Sequence, residues 1–299
     1  MSELPLATLP VEKRALLEQL VGALRRVAGM QAIVLGGSYA RGVQRADSDL
    51  DLGLYYDEAA PFAIDAIRAI ARSISSGGEP TVTGFYEWGP WVNGGAWIQT
   101  AAGKVDFLYR NLAQVQRTIE EAHQGILGHD YAQQPAYGFY SVIYLAETQI
   151  CLPLFDPHGQ IERLKARVAS YPPLLKRRTI DIHLWSAEFT LIHARTFADQ
   201  GDVYTTVGCL TRAVANLTQV LFALNEVYFI SDKRAMAQVA GFRLVPPKYG
   251  ERLARLLAQP GATPDQLRQT VADLSALWQE VVALTGTDYQ PKFILNPKA

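Results

Sequence analysis

The hydrophobic period changes once along this chain, near residue 110, and that change limits the folds open to it. Before it, short apolar or alternating runs of strand length are separated by turn residues; after it, apolar residues recur at helical spacing over long stretches. In the first part, Leu16, Leu17, Leu20, Leu24 and Val27 repeat as one face of an amphipathic helix, with Thr8 and Pro10 as its start signal. "AIVLGGS" is an apolar run closed by a glycine turn, and "DLDLGLYY" alternates acidic with apolar residues, so both predict strands. Residues 60–76 return to helical spacing, and "SSGGEP" interrupts them before "TVTGFYEW". The turn signals NGG and AAG then divide "GPWVNGGAWIQTAAGKVDFLYR" into strand-like pieces. The order helix, strand, strand, helix, strand, strand, strand predicts a mixed sheet with flanking helices.

Beyond residue 110 the spacing predicts helices at roughly 137–151, 159–169, 174–199, 204–228 and 264–285. Pro153, the Pro172-Pro173 pair, Gly201 and Pro246-Pro247 punctuate them. Long helices with short connections form antiparallel bundles. The expected fold class is therefore α+β, with a mixed-sheet domain over residues 1–115 and an all-α helical bundle over residues 116–299. Hydrophobic residues make up 49% of the chain, enough to give both parts a core. The formal net charge of -1 gives no global field that favours nucleic acid or an anionic membrane, which leaves only a local basic patch, and Lys176-Arg177-Arg178 is the one obvious basic run. Cys151 and Cys209 are too few for a disulfide framework and have no zinc-ligand spacing, so both are expected to be buried and inert and the compartment cytoplasmic. The opening "MSELPLATLPVEKR" has no apolar core of signal-peptide length, and no run of 18 or more apolar residues occurs.

The chemistry concentrates in "GGSYARGVQRADSDLDLG", residues 36–53. In a strand Asp49 and Asp51 share one face with Cα atoms about 6.5 to 7 Å apart, and two carboxylates so placed repel unless a cation lies between them. A hard divalent cation, or two, answers that repulsion. Gly36 and Gly37 let backbone N–H groups approach a phosphate, and the Ser38 hydroxyl can donate to it. A helix opened by residues 39–46 would favour the same anion at its N-terminus, and Arg41 and Arg45 are candidates for its oxygens. Asp106, in "GKVDFLYR", lies opposite in phase to Val105 and Phe107 and supplies a third acid. Three carboxylates with a glycine-serine turn suit two-metal phosphoryl or nucleotidyl transfer.

The pattern Gly37-Ser38, ten residues, Asp49-Leu50-Asp51-Leu52 and a later Asp106 resembles the signature of the DNA polymerase β-type nucleotidyltransferase superfamily. That resemblance implies that Asp49, Asp51 and Asp106 hold two magnesium ions. The turn would hold the triphosphate, and an acceptor hydroxyl would attack the α-phosphorus with loss of pyrophosphate. The chain as a whole resembles two-domain, kanamycin-type antibiotic nucleotidyltransferases. "EWGPWVNGGAW" and "YLAETQICLPLFDP" are similar to a branch of bacterial predicted nucleotidyltransferases. By position, the kanamycin-type enzymes imply Glu147 as general base and the streptomycin-type enzymes Glu87, with Glu147 preferred; similar helical domains present a basic residue, here Lys233, to the triphosphate. The implied reaction moves a nucleoside monophosphate, AMP from ATP, to a small-molecule hydroxyl such as that of an aminoglycoside-like antibiotic, in a monomer or homodimer. Rival readings are nucleotidylation of tRNA or protein, and a catalytically silent nucleotide-binding sensor or antitoxin-like protein.

Plainer readings compete at several positions. Asp47, Asp49, Asp51 and Glu58 match an EF-hand at positions 1, 3, 5 and 12, but Leu52 stands where that loop requires glycine. Trp88, Trp91 and Trp97 either line a groove for a sugar or base or serve the core. His183 and His193 lie on one helix at a separation too great for one metal, and core packing or surface exposure is their expected role.

Overall fold

The computed structural model describes residues 9–45 and 47–293; Thr8, half of the expected helix start, lies outside them. It forms two compact units. The first runs up to Glu120 and takes in Tyr144–Ala169; the second comprises Glu121–Ile143 and the chain from Ser170 onward. The expected single boundary at residue 115 thus gives way to an interleaved division.

The first unit is a six-stranded mixed sheet in the order β3-β4-β5-β2-β1-β8. These strands are β1 (Met30–Leu35), β2 (Leu50–Tyr56), β3 (Thr81–Val82), β4 (Gly95–Thr100), β5 (Gly103–Asn111) and β8 (Leu152–Phe155). β2 and β5 run parallel and the remaining neighbours antiparallel. One face is the core. Leu50, Leu52 and Leu54 of β2, Val105, Phe107 and Tyr109 of β5, and Ala96 and Ile98 of β4 are buried there. They pack in one cluster with Leu17, Leu20 and Leu24 of α1 (Val11–Leu24) and with Ile67 and Ala71 of α3 (Ile64–Ile74). Strand alternation sends Asp51, Tyr55, Asp106 and Arg110 to the other face. Between β1 and β2 the expected helix over 39–46 is one turn, α2 (Gly37–Ala40), and Gly42 at φ +68° follows it in a conformation that ends a helix.

Two stretches depart from expectation. Helix α4 (Leu112–His123) follows β5 without a loop, because the Asn111 side chain accepts from the backbone N–H groups of Ala113 and Gln114 and caps it. Pro153, read as a breaker, sits in β8, which pairs only with β1; an edge strand tolerates a residue that cannot donate. Helices α5 (Val142–Ile150) and α6 (Gln160–Arg167) flank β8.

In the second unit, β6 (His129–Asp130) pairs with β7 (Phe139–Tyr140). The long helices are α7 (Pro173–Asp199), α8 (Val203–Leu224) and α11 (Pro264–Leu284), with α9 (Ala235–Val239) and α10 (Tyr249–Ala258) between the last two. α8 is long and apolar enough to cross a membrane, yet most of it is buried here as a core helix. Asp202 caps α8, and Thr263 with Gln266 forms a capping box on α11. Glu188 on α7, fully buried, accepts from the Tyr289 hydroxyl at 2.6 Å and from the backbone N–H groups of Lys292 and Phe293.

Candidate active site

Parallel pairing of β2 with β5 places Asp51 opposite Asp106 in register, so both carboxylates rise from adjacent strands on one face. Both are half-buried, at the end of that face nearest the glycine turn. The Gly36 N–H donates to the Asp51 carbonyl at 2.8 Å. Gly37 lies at φ +60°, and a Cβ there would stand 1.7 Å from Asp51 Oδ2. The turn therefore needs glycine twice over, for its left-handed backbone and for the carboxylate lying against it. On the far side of Asp106, Trp97 of β4 is its register partner. Across the sheet the row reads glycine turn, Asp51, Asp106, Trp97.

Asp49 is half-buried and precedes β2. The loop before it is braced from α1. Lys13 of α1 is only 7% exposed; its ammonium donates to the Ser48 carbonyl and lies 5.3 Å from the Tyr39 ring centroid. A lysine on an amphipathic helix ordinarily reads as solvated, so nothing in the sequence marks it. Arg45 forms an exposed ion pair with Asp47 at 3.0 Å, while Arg41 is half-buried just after α2. Asp51 stands within a strand, so the EF-hand match at Asp47, Asp49, Asp51 and Glu58 is not a calcium loop.

The preferred base, Glu147, is placed otherwise than expected. Both of its carboxylate oxygens accept from Arg110, at 2.9 Å each, in a two-pronged pair. Arg110 also donates to the carbonyls of Val92 and Tyr109 and lies 5.6 Å from the Tyr144 ring centroid. Burial opposes its charge, and Glu147 more than offsets this, leaving the guanidinium pKa raised. Arg110 is four residues beyond Asp106 on β5, roughly 13 Å along the strand. Glu147 thus fastens α5 to the sheet. Glu87 is exposed in the turn that carries Trp88, with its carboxylate over Gly84. Lys233 belongs to the second unit, exposed in the turn before α9.

The aromatic residues divide. Trp88 and Trp97 stack with centroids 4.7 Å apart, whereas Trp91 is half-buried and packs on Tyr144. His183 is buried and donates from Nδ1 to Asn216 Oδ1 at 2.6 Å; burial pushes its pKa down to about 4. Cys151 is buried, with burial pushing its thiol up to about 12, but Cys209 is only half-buried, contrary to expectation.

The donor chemistry of Asp51 and Asp106 fits a hard divalent cation: oxygen ligands on adjacent strands about 5 Å apart, open to solvent on one side. Among the described residues no three Asp, Glu, His or Cys side chains come together to hold a metal, so Asp49 is not assembled with the pair.

Residues 17–86 match the family described as Nucleotidyltransferase domain, and residues 143–233 match one described as Domain of unknown function (DUF4037). The first match includes the glycine turn, Asp49 and Asp51 and stops before Asp106; the second begins within α5 and runs through α8. No curated protein matches the chain. A solved nucleotidyltransferase-like protein from Exiguobacterium sibiricum 255-15 is 12% identical, over 92% of this chain and 76% of its own, with a TM-score of 0.45.

Proposed function

Taking as premise a chain that carries a nucleotidyltransferase domain and resembles the polymerase β-type nucleotidyltransferases, we propose that it transfers a nucleoside monophosphate, AMP from ATP, to a hydroxyl of a small-molecule acceptor. The acceptor oxygen bonds to the α-phosphorus, the bond from that phosphorus to the β-phosphate bridging oxygen breaks, and pyrophosphate leaves. Asp51 and Asp106 are the metal-holding pair, and Asp49, in the loop before β2 and not assembled with them in this structure, is the third carboxylate we assign to the centre. Magnesium bound there neutralises triphosphate charge and makes the acceptor hydroxyl easier to deprotonate. The backbone of Gly36 and Gly37 and the hydroxyl of Ser38 take the triphosphate, with Arg41 the nearer of the two arginines to that turn in sequence. Glu87, next in sequence to Trp88, is the candidate for accepting the proton.

The observation that carries this reading is the register of Asp51 with Asp106, together with the contact of Gly37 on Asp51. The test is pyrophosphate release with magnesium and each nucleoside triphosphate against aminoglycosides, lincosamides, tRNA and proteins. Release by the wild type, falling to background in Asp51→Asn and Asp106→Asn, is the expected result. A wild type that binds nucleotide but releases no pyrophosphate with any of them would instead be a silent binder.

A further inference from the structure

We propose that the stacked indoles of Trp88 and Trp97 are the acceptor subsite, a platform for the apolar face of a saturated, hydroxylated ring such as a sugar or cyclitol, with one ring hydroxyl turned toward Asp106. This rests on the reading above and adds the acceptor's chemical class to it.

Trp97 is the register partner of Asp106, on the same sheet face, and is 55% exposed. Displacement at phosphorus is in line, so the entering hydroxyl and the departing pyrophosphate lie on opposite sides of the α-phosphorus. The glycine turn stands on the Asp51 side of the acid pair. The acceptor must therefore come from the Asp106 side, where Trp97 is.

The surrounding loop fixes these indoles. Gly95 leaves open the space that Trp88 fills: a Cβ at Gly95 would meet the Trp88 ring at 2.7 Å. The Trp88 N–H donates to the Asn93 carbonyl at 3.0 Å. Asn93 has no exposed surface and sits at φ +64°; its side chain accepts from the Tyr56 hydroxyl at 2.7 Å and donates to Gln114 at 3.2 Å. Gly89 turns the chain at φ +99°. Thus "EWGPWVNGGAW" is a scaffold that holds two large rings in place beside the carboxylates. Core packing does not explain an indole left mostly in water, and an exposed apolar surface next to polar groups is the kind that binds.

An indole face suits the C–H face of a saturated ring, and its negative quadrupole also accepts cationic substituents. Lys104 and Gln99, the next register pair but one along β5 and β4, are exposed on the same face and offer hydrogen bonds to ring hydroxyls.

The test uses the full chain as wild type, Trp97→Ala, Trp97→Phe and Asp51→Asn. Kanamycin, myo-inositol and methyl α-D-glucopyranoside serve as ring acceptors, with glycerol, a serine-containing peptide and tRNA beside them. Trp97→Ala is expected to raise KM for the ring acceptor about tenfold while KM for ATP stays within about twofold, and Trp97→Phe to keep most of the affinity. In Asp51→Asn, quenching of tryptophan fluorescence by the ring acceptor should persist, which separates binding from chemistry. The platform is overturned if the acceptor KM is unchanged in Trp97→Ala, or if KM for ATP rises instead, which would make it a nucleobase stack. Use of only the acyclic or macromolecular acceptors, or no transfer at all, overturns it too. Undiminished transfer by Asp51→Asn would sink the underlying reading of the acid pair, whatever Trp97 does.

Discussion

Gly37 and Asp51 act as one piece at the residue scale, since the carboxylate occupies the space a side chain at Gly37 would need. Gly37→Ala should destabilise the first unit by roughly 1–2 kcal/mol from the left-handed backbone alone, and should displace Asp51 as well. Urea unfolding and pyrophosphate release measure the two effects; an alanine variant with wild-type stability would refute the crowding. In the second unit, His183 makes a pH prediction. Its folded pKa of about 4 lies below its unfolded value of about 6.5, so between these the unfolded chain binds the extra proton. The stabilisation from keeping the imidazole neutral is therefore full above pH 6.5 and is lost as pH falls toward 4. It amounts to about 3 kcal/mol at most. Denaturant midpoints at pH 7 and 4.5 should converge in His183→Gln relative to wild type; equal pH slopes for the two proteins would contradict the assignment.

At the scale of elements, α5 is held to the sheet by the Arg110 to Glu147 pair, whose arginine side chain is 5% exposed. Removing one partner strands a charge, while replacing both by apolar residues removes the desolvation cost along with the attraction. Glu147→Leu or Arg110→Leu alone should therefore lose roughly 3 kcal/mol or more, and the double variant less than the two losses added. The turnover of folded Glu147→Gln should stay near wild type; a loss matching that of Asp106→Asn would restore Glu147 as the base. Element identity was legible where a period was long. α1, α3, α7, α8 and α11 follow apolar spacing closely, β2 and β5 follow alternation, and β1 is a short apolar run ended by glycine. α4 was missed because a side chain of the preceding strand caps it, and no turn residue announces the change. Of the candidate site, the turn and the three acids could be read from the sequence. Lys13 and the Trp88 stack on Trp97 could not, since both depend on partners brought near by folding.

For the whole molecule, the first unit is discontinuous in sequence, because β8 and most of α5 return to it after an excursion into the second unit. A fragment of residues 1–115 would leave β1 as a bare edge and Arg110 without its carboxylate. We expect that fragment to aggregate or remain unfolded, and residues 1–169 to give more strand signal by circular dichroism; a soluble, cooperative 1–115 fragment would show that the returning segment is dispensable. Sequence alone determined the α+β class, the change of period near residue 110, and the acids and glycine turn of the candidate site. These follow from local rules: apolar spacing selects the element, and a backbone with φ above zero selects glycine. Tertiary structure alone decided that Asp51 faces Asp106, that Glu147 is spent on Arg110, and that Trp97 borders the acid pair. Strand pairing and register join residues far apart in the chain, and the energy of such contacts exists only after the loops between them close.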